Sequence, residues 1–145
     1  MKHILLSLFI LVAINAAAQN ADQRVGELIN EGDWFALAEE YPRLKDSMQV
    51  EFLQPMAEAL LAKYFNQSDK AIAAMTTLLS NYQEEIGASS ALNFALLRLQ
   101  MIGEQGNYAE AADGLKSIAE QLPQVPTIQR MYQHYNALRD YPQMT

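Results

Sequence analysis

From Val25 to Leu138 the apolar residues of this chain recur every three or four positions. They never alternate with polar residues over the length of a strand. A 3.6-residue period places such residues on one face of a helix, whereas a strand needs a period of two. Val25, Leu28 and Ile29 make a first stripe, which Gly32 ends. Leu53, Met56, Ala57, Leu60, Leu61, Tyr64 and Phe65 make a second, and Ile72, Met75, Leu78, Leu79 and Tyr82 a third. Leu92, Ala95, Leu96, Leu99 and Ile102 follow, then Ala111, Leu115, Ile118 and Leu122, and finally Ile128, Met131, Tyr135 and Leu138. The fold class is therefore predicted to be all-α. Pro55 is expected in the first turn of its helix, where its missing N–H costs nothing. The stretch from Ser47 is expected to form a separate short helix.

Residues 1–18 have a different character. Met1-Lys2-His3 is basic, Ile4 to Ile14 is apolar apart from Ser7, and Ala16-Ala17-Ala18 is small. This is the order of a secretory signal peptide. The apolar run is too short to span a bilayer, which takes ~20 residues. The expected organisation is a signal peptide over 1–18 and one helical domain over 19–145. The domain is exported to the periplasm or secreted, soluble, and without a membrane anchor.

A single type of turn recurs among the helices. Gly106-Asn107-Tyr108, followed by Ala111, Leu115 and Pro123, has a physical reason at each position. Gly106 supplies a positive φ after one helix, and Asn107 is placed to cap the next. Tyr108 is expected to wedge between the two helices. Ala111 is small where they cross, Leu115 fills the space one turn on, and Pro123 stops the helix. Gly32-Asp33-Trp34 with Leu37 repeats the turn. Asn66-Gln67-Ser68 with Ala71 repeats it without the glycine. The second turn lies 34 residues after the first and 40 before the third. If Gly106 is the fifteenth residue of a 34-residue unit, that unit opens at Leu92 and the next at Pro126. These residues resemble the turn and second helix of a tetratricopeptide repeat, whose period is 34. The resemblance implies antiparallel helix pairs stacked as a right-handed α-solenoid, with an insertion around Ile86 to Ser90. Two residues depart from the repeat's pattern: Arg98 stands where it prefers an apolar side chain, and Leu99 where it prefers a small one.

Chemistry is hard to place on this chain. It has no cysteine, which excludes a thiolate metal site, a cysteine nucleophile and a lipid-anchoring cysteine. It has 17 acidic and 10 basic residues and a formal charge of -7, with no basic cluster to neutralise phosphates. Nucleic acid and anionic membranes are therefore not expected partners. No metalloprotease, P-loop, dinucleotide or serine–lysine motif occurs. Gly87-Ala88-Ser89-Ser90-Ala91 lacks the spacing and the strand–turn–helix context of a nucleophile elbow, so Ser89 or Ser90 is read as a helix N-cap. His134 has no evident catalytic or metal-binding partner. The adjacent pairs Glu39-Glu40 and Glu84-Glu85 point apart on a helix. The expectation is no catalytic residue, no metal and no cofactor.

A second resemblance covers longer stretches: Ala21 to Asn30, Gly32 to Leu37, Tyr41-Pro42, Asn66 to Leu79 and Gly103 to Gly114. Taken together they look like the N-terminal helical region of exported bacterial retropepsin-like aspartyl proteases. That likeness implies a non-catalytic region, because no Asp-Thr-Gly or Asp-Ser-Gly triplet is present: Asp46-Ser47 continues with Met48, and Asp113-Gly114 has no hydroxyl residue. A downstream catalytic domain would then be a partner.

A helical repeat binds in the concave groove lined by the first helix of each unit. On the phasing above, the groove residues are Asn93, Leu96, Gln100, Gly103 and Glu104, with Leu53, Met56, Leu60, Lys63 and Tyr64 from the preceding unit. Apolar positions with few charges suit an extended or helical peptide of a protein partner. Leu53, Met56 and Leu60 have a competing reading as plain core. The helix from Pro126 is the first half of a unit, and Met131, Tyr132, Tyr135 and Leu138 leave it little polar face. It is expected to fold back on the preceding unit, to dock a following domain, or to self-associate.

Overall fold

A computed structural model describes residues 19–140. The leader predicted over 1–18 lies outside the described residues. Among those described, the protein is all helix and turn. Its helices are α1 (Gln19–Glu31), α2 (Trp34–Leu44), α3 (Leu53–Tyr64), α4 (Ser68–Asn81), the one-turn α5 (Gln83–Ile86), α6 (Ala88–Glu104), α7 (Tyr108–Gln121) and α8 (Pro126–Arg139). None of them is long and apolar enough to cross a membrane. The chain divides into two compact units, one ending at Phe94 and one beginning at Ala95, so that α6 contributes to both.

In the first unit α1 packs on α2, α3 on α4, and both α1 and α2 on α3. Its core is the predicted stripes: Val25, Leu28, Leu37, Leu53, Met56, Ala57, Leu60, Ala71, Met75 and Leu78 are all buried. Arg24 fastens α1 to α2 with a two-pronged bond to Glu40, Nε and Nη2 each donating over 2.8 Å. These bonds hold the Glu40 carboxyl below its ordinary value, against the opposing pull of desolvation. Tyr41 is buried, and its hydroxyl donates to Glu58 of α3 at 2.7 Å. Burial, and then the Glu58 bond, push its phenol well above the ordinary value.

Pro55 stands in the first turn of α3. The short helix expected from Ser47 is not there. A 3-10 turn over Lys45–Ser47 gives way to extended backbone at Met48. The amides of Gln49 and Val50 then donate to the carboxylate of Asp22, at 3.1–3.3 Å. Asp22 is fully buried in α1. Amides held by a carboxylate from another helix are withdrawn from a local helical ladder.

The second unit is the rest of α6 with α7 and α8. Leu99, Ile102, Ala111, Ala112, Leu115, Ala119, Ile128 and Tyr135 are buried. Pro126 takes the first position of α8, and α7 ends just before Pro123. Gly114 of α7 leaves no room for a Cβ beside the Leu99 side chain. The large residue at 99 is thus matched by a missing side chain across the helix crossing, and the departure from the repeat pattern is compensated. Tyr135 closes over Gly103 in the same manner and donates its hydroxyl to the Gln100 carbonyl at 3.3 Å. Tyr108, at the start of α7, is half-buried. It stacks on Tyr135 of α8, with ring centroids 6.4 Å apart. Arg139 pairs with Asp113 at 2.7 Å, and Gln129 donates to the Ala119 carbonyl at the end of α7. The last helix is therefore folded onto its own unit, with Met131, Tyr132 and Leu138 half-buried.

The three turns singled out in the sequence share one hydrogen-bond scheme. Gly32, Asn66 and Gly106 have φ of 70°, 60° and 93°. Each donates its amide three residues back, to Ile29, Lys63 and Gly103. The next residue, Asp33, Gln67 or Asn107, donates five back, to Leu28, Ala62 or Ile102. This is the Schellman termination. The carbonyls of Asp33, Gln67 and Asn107 then accept from Leu37, Ala71 and Ala111, all three fully buried. Asp33 also caps α2 through its side chain, which accepts from the Ala36 amide at 3.1 Å. Asn107 occupies the cap position of α7 but makes no side-chain cap bond. Gly87, with φ 88°, separates α5 from α6 and accepts from the Ala91 amide, so neither Ser89 nor Ser90 is the N-cap.

Candidate functional site

The turn after α1 and the turn after α3 lie together in the first unit, and each carries two aromatic residues. Trp34 and Phe35 begin α2, just past Gly32. Tyr64 and Phe65 end α3, just before Asn66. The Trp34 and Tyr64 rings stack at 4.3 Å, 14° from parallel. Phe35 and Phe65 meet edge to face at 5.5 Å. The Lys63 ammonium lies 4.2 Å from the centroid of the Tyr64 ring. Phe35 is 80% exposed and Phe65 39%, the two exposed large hydrophobic residues among those described. Trp34 and Tyr64 are half-buried, and burial raises the Tyr64 phenol above its ordinary value.

The geometry follows from the chain. The Schellman turn fixes the direction in which each helix enters and leaves. Leu37 and Tyr41 take the buried face of α2, so Phe35 at the helix start is left on the outside. Aromatic pairs at these separations gain about 0.5–1.5 kcal/mol each beyond area burial. That holds the rings in place without covering Phe35. An ordered aromatic surface at helix ends is suited to binding an apolar or cationic group.

Of the residues predicted to line a groove, Lys63 and Tyr64 join this cluster. Trp34, expected to be a structural residue of the repeat, contributes its ring. Asn93, Leu96 and Gln100 are half-buried along α6, and Glu104 is exposed at its end. Leu53, Met56 and Leu60 are at most 2% exposed, so they are core and not groove. Gly103 lies beneath Tyr135. Sequence reasoning passes over Phe35 and places Phe65 in a buried stripe. The available signal is the pair of aromatic doublets, Trp34-Phe35 and Tyr64-Phe65, flanking equivalent turns.

Among the described residues, no group of three or more His, Asp or Glu side chains is placed to hold a metal. The buried Asp22 carboxylate is fully engaged by two amides. The His134 ring sits against its neighbour Tyr135. An open hollow bounded by Met48, Gln54, Pro55, Glu58, Thr77 and Tyr82 includes Glu58, which already accepts from Tyr41. No protein-family profile matches the sequence. No curated protein and no solved structure matches it either.

Proposed function

We propose that this chain is an exported, non-catalytic helical-repeat module of tetratricopeptide-like solenoid type, which binds a protein or peptide partner. The observation that carries the binding reading is the aromatic cluster. Phe35 and Phe65 are held in ordered contact yet stand open to solvent. Exposed aromatic surface of this kind marks interaction sites. Three turns with one hydrogen-bond scheme support the repeat. The order of residues 1–18 supports export.

The test is selection from a displayed library of random dodecapeptides with the full chain as bait. The expected result is enrichment of a shared motif. Phe35→Ala/Phe65→Ala, which alters exposed side chains only, should weaken binding of the selected peptides about 30-fold or more, as loss of a hot spot does. Absence of any enriched peptide, or equal enrichment by the double variant, would refute the proposal.

A further inference from the structure

An exposed aromatic cluster does not by itself fix the chemistry of its partner, but the distribution of charge around it does. Residues 19–94 hold twelve Asp and Glu against five Lys and Arg, whereas residues 95–140 hold five against four. Nearly all of the net negative charge is on the unit that carries the aromatic cluster. Exposed carboxylates lie close to these rings along the chain. Glu31 ends α1, Asp33 (whose carboxylate also accepts from the Ala36 amide) precedes Trp34, and Glu39 lies one helical turn beyond Phe35, on the same side of α2. The cluster also holds one cation already, with the Lys63 ammonium over Tyr64.

Resting on the binding function proposed above, we propose that the occupant is an extended segment of a partner protein bearing arginine side chains. A guanidinium is planar and weakly hydrated. It stacks on an aromatic face and pairs two-pronged with a carboxylate, and this stretch of the chain carries both kinds of group. A second copy of this chain would bring a like-charged surface to the same place. An anionic lipid surface would be repelled for the same reason.

Trp34 is the only tryptophan of the chain, so its fluorescence reports on the cluster alone. The probes are Ac-PRPRPRPR-NH2 and its counterparts with Lys, Gln or Glu in place of Arg. The arginine peptide should change Trp34 fluorescence saturably. Its affinity should fall about tenfold or more on raising the salt from about 0.05 to about 0.5 M, and also in Phe35→Ala/Phe65→Ala. The lysine peptide should bind several-fold more weakly, and the glutamate peptide not at all. Equal binding of the glutamine or glutamate peptide overturns the proposal. So does arginine binding that the double variant leaves unchanged. So does a concentration-dependent mass of the peptide-free chain that Phe35→Ala/Phe65→Ala abolishes, since the occupant would then be a second copy. If the library yields acidic or neutral motifs that still need Phe35 and Phe65, binding at the cluster stands and the arginine assignment alone falls. If the library yields nothing, the binding reading itself fails.

Discussion

Asp22 joins α1 to the segment that precedes α3. Its carboxylate is fully buried and receives the amides of Gln49 and Val50, 27 and 28 residues away. Removing it takes the acceptor from two part-buried amides, at a cost of about 1–3 kcal/mol. Asp22→Ala should lose that amount in chemical denaturation, and Asp22→Asn, which keeps an acceptor oxygen, should lose less. Equal losses would mean that packing and not hydrogen bonding is at stake. The positive-φ turns make a second set. Asn66 has φ 60° where its counterparts are glycine, and that conformation costs an asparagine more than it costs a glycine. Asn66→Gly should therefore raise stability by about 0.5–1 kcal/mol, while Gly106→Val should lower it by about 1–2 kcal/mol. Glycine at 106 and asparagine at 66 were legible in the sequence because few residues adopt that backbone. The bond from Asp22 was not, since nothing local marks an acidic residue in the first turn of a helix as destined for amides so far along the chain.

At the scale of elements, the helices are joined by a few directed contacts over an apolar stripe. Arg24 and Glu40 tie α1 to α2. Because the Glu40 carboxyl is held below its ordinary value of 4.5 in the folded protein, its contribution is present above the usual carboxylate range. It is lost as pH falls through the lowered value. Between about pH 6 and pH 3 the parent protein should lose more stability than Glu40→Gln. Thermal melts across that range give the comparison, and identical pH slopes would contradict it. In the second unit, Gly103 is the contact point between α6 and Tyr135. Gly103→Ala should displace that ring and cost about 1–3 kcal/mol by overpacking, read by denaturation and by loss of the near-ultraviolet signal of the Tyr108–Tyr135 pair. The helical period of the sequence foretold these elements well, to within a turn at most ends. It failed at 47–52, where tertiary hydrogen bonds overrode it. It also could not foretell that Leu99 is accommodated by Gly114, because size matching across a crossing belongs to two helices and not to one.

For the molecule as a whole, the sequence foretold the turns and the buried stripes but not where surface aromatic residues would gather. Trp34 was legible as a turn residue, and Lys63 and Tyr64 as candidate groove residues, Tyr64 also as part of an apolar stripe. That Phe35 and Phe65 stand out from the fold, edge to face and exposed, follows only when the two equivalent turns are brought side by side. If this pairing of turns is the binding surface, amide chemical-shift mapping of the 15N-labelled chain with a library-selected dodecapeptide must locate the peptide there. Saturable shifts are expected at residues 31–36 and 63–69 alone, with α7 and α8 unmoved. Shifts concentrated on Asn93, Leu96, Gln100 and Glu104 of α6, with Trp34 to Ala36 unchanged, would be the contrary result and would return the binding surface to the groove that the repeat phasing implied.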